Sequence, residues 1–300
     1  MELWIFATLI AASLQTARFM LQRVLSRSQL STAGATFSRF CYSAPILWIG
    51  VIGYFWSNDL SVPVLSVLFW CYALLGGLAQ ILATVCVVAL FRSRNFAVGI
   101  SFKKTEVIQS VFVGILLLGE GVSINGFGAI LIGLLGILLL SDQSEKGQIR
   151  SRRFLNRATG LGVSSGFLFA ISAVAYRGAT LQVDTGTPIS TAAVTLLMVV
   201  SLQMIAMTAW IYFREPNQLL AVWNARKTAI WIGLTSMSGS LAWFTAFSLQ
   251  NAAYVKALGQ FELLLSLMVS HFIFKEKISK RELGGLFFLT ASIILLVLLF

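Results

Sequence analysis

Ten long apolar runs dominate this sequence and constrain what it can fold into. A membrane-spanning helix needs about 20 predominantly apolar residues to cross a hydrocarbon core about 30 Å thick. The ten runs, which short polar breaks separate, are residues 3–21, 33–56, 65–91, 97–118, 124–140, 160–178, 188–213, 229–249, 253–274 and 283–300. Because a chain in lipid must satisfy its backbone hydrogen bonds internally, the pattern predicts an all-α polytopic membrane protein with about ten transmembrane helices.

The scarcity of charge supports this class. Only 11% of the 300 residues are charged, against about a quarter in soluble domains. The net charge of +11 suggests basic loops beside an anionic membrane surface. The chain has no basic, aromatic-rich soluble segment of the kind that would indicate nucleic-acid binding. The chain has no P-loop and no catalytic motif, and its only histidine is His271. We therefore expect neither an enzyme, nor a metal site, nor a cofactor.

An internal repeat relates the two halves of the chain. A shift of 156 residues aligns Glu106 with Glu262 and Glu120 with Glu276 in a chain that holds eleven acidic residues. Each half carries five predicted spans, and an odd number requires the second half to enter the membrane from the opposite side. The sequence therefore predicts two inverted five-helix repeats, residues 1–143 and 159–300, joined by a basic loop at 144–158.

The basic residues indicate an orientation. Sixteen of the 22 lysines and arginines fall in the odd-numbered loops between predicted spans, and none falls in the even-numbered loops. Cytoplasmic loops carry an excess of Lys and Arg. The odd-numbered loops are therefore expected in the cytoplasm, which places both termini outside.

Two acidic residues lie deep inside predicted spans. Glu106 and Glu262 are each the tenth residue of a span that starts at Ala97 or Ala253, about 15 Å deep at 1.5 Å per residue. A charge at the bilayer centre costs about 2.5–3.5 kcal/mol even on the lenient insertion scale, so such groups usually face a bundle interior or a cavity. We expect both carboxylates near the midplane, where inverted-repeat transporters bind their substrates.

Further polar candidates accompany the two carboxylates. Lys103 and Glu106 stand at i and i+3, so a neutralising helix pair is an alternative to a solute contact. The remaining candidates are Lys104, Arg39, Gln260, Arg18, Gln15, Lys256 and Arg177. Three of these, Arg18, Arg177 and Lys256, lie near predicted span ends, where the long side chains could instead reach the membrane surface. Glu120 follows Gly119 and is interpreted as the end of a helix.

The sequence resembles the drug/metabolite transporter superfamily, in its EamA-type ten-helix branch. Two segments carry the resemblance: SFKKTEVIQSVFVGILLLGEGVSINGFGAILIGLLGILLLS from residue 101 and YVKALGQFELLLSLMVSHFIFKEKISKRELGGLFFLTASIILL from residue 254. Family members often carry a proline in helices four and nine, where this chain has Lys104-Thr105 and Gly259-Gln260. Many members also keep both termini in the cytoplasm, whereas the loop charges here predict the reverse.

The resemblance implies a secondary carrier that moves a small metabolite by alternating access through a central cavity, in a bacterial cytoplasmic membrane, as a monomer or homodimer. The excess of buried cations favours an anionic or zwitterionic solute, and Glu106 or Glu262 could carry a coupling proton, because burial disfavours a charged carboxylate. One alternative is proton-coupled efflux of cationic or lipophilic drugs, with the two glutamates as binding charges. A second alternative is a membrane scaffold that transports nothing, in which the buried charges form ion pairs with one another and have no access to solvent.

Overall fold

A computed structural model describes residues 2–28, 30–59, 61, 63–91, 103–141, 157–272 and 280–299. Within these ranges every regular element is a helix. The helices are α1 (Leu3–Ser28), α2 (Thr32–Ser57), α3 (Val67–Phe91), α4 (Glu106–Leu118), α5 (Ile124–Ser141), α6 (Arg157–Thr180), α7 (Pro188–Arg214), α8 (Asn217–Asn224), α9 (Arg226–Leu249), α10 (Ala252–Leu258), α11 (Phe261–Phe272) and α12 (Lys280–Leu298). The predicted all-α class is confirmed.

Six of the described helices are long and apolar enough to cross a membrane, namely α1, α2, α3, α6, α7 and α12. Large apolar side chains cover the outside of the bundle. Leu116, Trp56 and Phe213 are among them and are 82%, 85% and 79% exposed. Apolar surface of this extent is unfavourable in water and suits lipid. The chain is an integral membrane protein.

The helices pack most extensively as three pairs: α3 with α6, α1 with α9, and α5 with α12. Small residues allow the last pair to approach closely. A Cβ atom on Gly136 would lie 2.8 Å from the backbone oxygen of Gly285, and one on Gly133 would lie 2.6 Å from the hydroxyl of Ser292. That hydroxyl donates a hydrogen bond to the Ala129 carbonyl oxygen, 2.7 Å away. Backbone proximity through small residues is a common way for helices to associate in lipid.

Two predicted spans are not single continuous helices, which corrects the expectation for residues 97–118 and 253–274. The first described helix of the former, α4, begins only at Glu106, after a turn at Lys104 and Thr105. In the latter, Gly259 and Gln260 form a turn between α10 and α11. Hydrogen bonds from residue i to residue i−3 tighten this junction, as in a 3₁₀ turn. Both turns lie where the family resemblance placed a proline in other members.

Three further features depart from the predicted map or lie beyond it. Helix α1 continues to Ser28 instead of ending near residue 21. Helix α8, a short element between two spans, was not predicted; its Val222 is buried while Leu220 and Trp223 stay exposed. Residues 144–156 of the predicted inter-repeat loop, and Glu276, lie outside the described residues.

Candidate functional site

A buried ion pair between the two halves of the chain forms the first part of the site. The Lys104 ammonium group donates a hydrogen bond to Oε1 of Glu262 and pairs with it. The amide Nε2 of Gln15, on α1, donates to the other oxygen, Oε2, at 2.7 Å. Both carboxylate oxygens of Glu262 thus accept hydrogen bonds from side chains of the predicted first repeat. Gln15, a candidate site residue from the sequence, serves here as a hydrogen-bond partner of the carboxylate.

The second carboxylate lies between two lysines. Nζ of Lys103 is 3.6 Å from Oε2 of Glu106, and Nζ of Lys256 is 3.9 Å from Oε1. The i, i+3 pair proposed from the sequence is therefore present, and Lys256 adds a cation from the other half. Lys256 is only 7% exposed, which corrects the alternative that it reaches the membrane surface. We refer to Lys103, Lys104, Glu106, Lys256 and Glu262 as the charged cluster.

Aromatic rings surround the lysines of the charged cluster. Nζ of Lys103 lies 4.9 Å from the centroid of the Phe169 ring. Nζ of Lys256 lies 4.8 Å from the centroid of the Trp243 ring. The negative face of an aromatic ring attracts a cation, and the attraction grows when water is excluded. The rings therefore help to hold ammonium groups that the bilayer would otherwise disfavour.

Local backbone geometry explains why the two carboxylates are tolerated. Glu106 is the first residue of α4, and Glu262 is the second residue of α11. The N-terminal end of a helix carries partial positive charge and free N–H groups, so a carboxylate in the first turn is stabilised. Gly166 on α6 permits the close approach of this region, because a Cβ there would lie 2.8 Å from the Lys103 carbonyl oxygen.

Arg39 and Arg18 are buried beside the charged cluster, and neither forms an ion pair with any described residue. The Arg39 guanidinium group donates hydrogen bonds to the hydroxyls of Ser236, Ser240 and Thr84, at 2.6, 3.1 and 3.4 Å. Arg18 is 4% exposed, and its guanidinium carbon lies 4.5 Å from the centroid of the Phe19 ring. The alternative that Arg18 reaches the membrane surface is wrong, since the head group stays inside the bundle.

A small central cavity of about 20 Å³ lies beside these arginines. Arg18, Arg39, Lys256 and Gln15 are among the side chains that line it, whereas Glu106 and Glu262 are not. A volume of this size holds about one water molecule. As bounded by the described residues, the cavity is therefore too small to hold an organic solute.

Arg177 lies in the last turn of α6. Its guanidinium group pairs with Glu120 at 3.1 Å and donates to the carbonyl oxygens of Phe247 and Ser248, at 2.8 and 3.0 Å. Arg177 thus lies near the end of its span, as the sequence predicted, and pairs there with Glu120. Gly119 ends α4 in the left-handed conformation, at φ 67°, as the sequence indicated. The following Glu120, however, also links α4 to the second half of the chain.

The sequence thus found most of the charged groups, but not all the polar groups around them. Gln260 is buried, and among the described residues its side chain donates only to the Lys256 carbonyl oxygen, 3.3 Å away. It therefore lies near the charged cluster without joining it. Reasoning from sequence missed the cavity-lining residues Gln80, Tyr176, Ser240 and Trp243. Ser236 and Ser240 stand at i and i+4 on α9, a spacing that places two hydroxyls on one helix face and could have signalled the Arg39 contact.

Comparison with known proteins supports the fold and indicates a family. Residues 157–298 match the sequence profile of the EamA-like transporter family, which lies within the drug/metabolite transporter superfamily. No curated protein sequence matches this chain. One solved crystal structure superposes on it with a TM-score of 0.69, covering 99% of this chain and 96% of its own at 13% identity. At that identity the likeness concerns the fold alone.

Proposed function

Because residues 157–298 match the EamA-like transporter family, we propose that this chain is a secondary transporter of a small anionic or zwitterionic metabolite. It works by alternating access through the central cavity, between two inverted five-helix repeats. The observation that carries the proposal is the excess of buried positive charge. Among the described residues five buried cations, Lys103, Lys104, Lys256, Arg18 and Arg39, face two buried carboxylates, Glu106 and Glu262.

The distribution of this charge supports an anion over a cation. Both carboxylates already contact lysines of the charged cluster, so neither offers a free negative charge to a cationic solute. Among the described residues, Arg39 donates hydrogen bonds only to neutral hydroxyl groups and lies over the Phe40 ring. A buried cation without a counterion is costly, and an anionic solute would remove that cost.

The pattern of helix packing supports the two-repeat, ten-span arrangement. If α1 to α5 correspond to five spans, then α6, α7, α9, the pair α10–α11, and α12 are their five counterparts. Exchanging the halves converts the α3–α6 contact into the α9–α1 contact and maps the α2–α7 and α5–α12 contacts onto themselves. A two-fold axis in the membrane plane produces this exchange.

Transport by protein reconstituted in liposomes tests the proposal. We expect uptake of labelled organic anions or zwitterions, with little uptake of organic cations. The variants Glu106→Gln and Glu262→Gln should each reduce transport strongly while protein levels hold, since each change leaves a lysine of the charged cluster without its counterion. Transport at the wild-type level in both variants would contradict the role of the charged cluster.

The two alternatives predict different results in the same assay. Efflux of cationic or lipophilic drugs predicts uptake of cations that is lost with either glutamine variant and is driven by a proton gradient. A membrane scaffold predicts no uptake of any solute by a folded, reconstituted protein. Quenching of tryptophan fluorescence on addition of each solute is a faster first screen.

A further inference from the structure

The walls of the central cavity contain hydrogen-bond donors that have no acceptor. Nε of Arg18 and Nε1 of Trp243 are buried, and neither has a hydrogen-bond partner among the described residues. Arg18 is 4% exposed and Trp243 is 8% exposed, and both line the cavity. Buried donors are almost always paired in folded proteins, so two unpaired donors at one cavity require an explanation.

Two further cations line the cavity with these donors, and no described carboxylate lines it. Arg39 and Lys256 line the same cavity. The hydrogen bonds of the Arg39 guanidinium group to described residues all go to hydroxyls. Lys256 lies 3.9 Å from Glu106, whose other oxygen faces Lys103. The cavity therefore lacks a group that can both accept hydrogen bonds and balance charge. An oxyanion has both properties.

Aromatic side chains form a large part of the cavity wall, beside several small or uncharged polar side chains. Phe169, Tyr176, Trp243, Phe244 and Phe247 contribute to it. The rings of Trp243 and Phe247 are stacked, with their centroids 5.8 Å apart and an interplanar angle of 20°. Flat apolar groups pack well against such faces. The cavity thus combines hydrogen-bond donors that suit an oxyanion with aromatic side chains that suit a flat apolar group.

We propose that the cavity binds the carboxylate or phosphate end of an aromatic or similarly flat organic acid, with Arg18 and Trp243 as its direct hydrogen-bond donors. Arg39 supplies charge behind them, and the aromatic wall receives the planar body when the two halves separate. The proposal rests on the proposed function and divides the roles of the polar residues. Arg18 and Trp243 contact the solute, whereas Lys104, Glu106 and Glu262 pair with groups of the protein.

Binding to the purified full-length chain tests the assignment independently of transport. The probes are phenylacetate, phenyl phosphate, phenethylamine and acetate, measured by isothermal titration calorimetry in detergent micelles. We expect the two aromatic oxyanions to bind, and the amine and the small acetate to bind at least about tenfold more weakly. The stronger of phenylacetate and phenyl phosphate identifies which oxyanion the cavity takes.

Four variants separate hydrogen bonding from charge. Arg18→Gln should weaken binding of the better probe about tenfold or more, because a charge-assisted hydrogen bond is lost. Arg18→Lys keeps the charge and should recover part of that loss. Trp243→Phe keeps a ring and removes only the N–H donor, so it should weaken binding severalfold. Arg226→Gln, which removes an exposed arginine, is the matched control and should bind like the wild type.

The outcomes distinguish this inference from the proposed function. Wild-type affinity in Arg18→Gln and in Trp243→Phe would overturn the assignment of the donors, even if liposomes still take up organic anions. If phenethylamine binds better than both oxyanions, the inference fails together with the proposed anionic solute. If Arg18→Gln does not elute as a folded protein in size-exclusion chromatography, Trp243→Phe alone decides.

Discussion

At the scale of single residues, the pairing of Lys104 with Glu262 is the contact that most directly joins the two halves. Lys104 is 2% exposed, and Glu262 also accepts the hydrogen bond from Gln15. A buried ion pair adds little stability compared with apolar residues of the same volume. Removal of one partner, however, leaves an uncompensated buried charge and destabilises the protein. The charged cluster is therefore sensitive to the loss of a single partner and more tolerant of the loss of a pair.

This asymmetry makes a double-mutant cycle informative. We expect Lys104→Met and Glu262→Gln each to lower the free energy of unfolding by about 3–5 kcal/mol, the usual result of breaking a buried pair. The double variant should be less destabilised than the sum of the two single changes, since neither charge is then left alone. Denaturant unfolding in detergent micelles measures all three.

The exposed Lys227→Met is the matched control, and its stability should stay near that of the wild type, because an exposed lysine has no buried counterion. Strict additivity of the two single changes would show that Lys104 and Glu262 do not interact energetically, and would contradict the pairing.

At the scale of secondary-structure elements, the turns that precede Glu106 and Glu262 position the charged cluster. Each turn starts a new helix whose first turn holds a carboxylate. Trp243 of α9 packs directly on the turn at Gly259 and Gln260. A Cβ atom on Gly259 would lie only 2.4 Å from Cη2 of the Trp243 indole. The backbone of Gly259 is ordinary for any residue, at φ −60° and ψ −13°, so space and not conformation requires glycine here.

A substitution at this turn should therefore act through the indole ring. We expect Gly259→Ala to destabilise the protein by about 1–3 kcal/mol, the usual cost of overpacking a tight site. Trp243→Phe, which lacks the atom in conflict, should restore most of that stability in the double variant. Thermal unfolding followed by circular dichroism measures the effect.

Gly128 of α5 is the matched control, because a Cβ there meets nothing within 4 Å. Gly128→Ala should leave stability unchanged or raise it slightly, since alanine favours a helix more than glycine does. Equal stability of Gly259→Ala and Gly128→Ala would contradict the steric argument.

At the scale of the whole molecule, the loops that are even-numbered in the predicted map of spans meet at one end of the bundle. The Arg177–Glu120 pair joins the end of α6 to the connection between α4 and α5. The side chain of Asn251, between α9 and α10, donates to the Gly121 carbonyl oxygen at 3.1 Å. Ser66, before α3, donates to Oε1 of Gln182, after α6, at 3.3 Å. The even-numbered loops should lie on the same side of the membrane if successive helices cross it in alternating directions, and these contacts agree with that arrangement.

This common end is free of the basic residues that favour the cytoplasm, apart from Arg177, which is paired. The positive-inside rule therefore predicts that it faces outward and that both termini do as well. An alkaline phosphatase fused after residue 300 should be active, and a fluorescent protein fused at the same place should stay dark, because these reporters work on opposite sides of the bacterial membrane. The reverse result would assign the orientation that many family members have.

The sequence by itself determined the class of fold and which charged residues lie within apolar segments. Apolar runs of about 20 residues have few stable outcomes besides membrane helices, and ionisable groups within them are too costly to be incidental. The i, i+3 spacing of Lys103 and Glu106 also predicted a contact that the structure contains. These properties are local along the chain, so they can be recognised without knowing which helices touch.

Only the tertiary structure decided which charges pair and which face the cavity. Lys104 and Glu262 are 158 residues apart, and no local pattern specifies their contact. Arg18 was expected near a span end, but packing holds it inside the bundle with a donor unpaired. Trp243 carries no sequence signal of a site at all. The role of a buried polar group depends on its partners, and the partners come from helices that are distant in the chain.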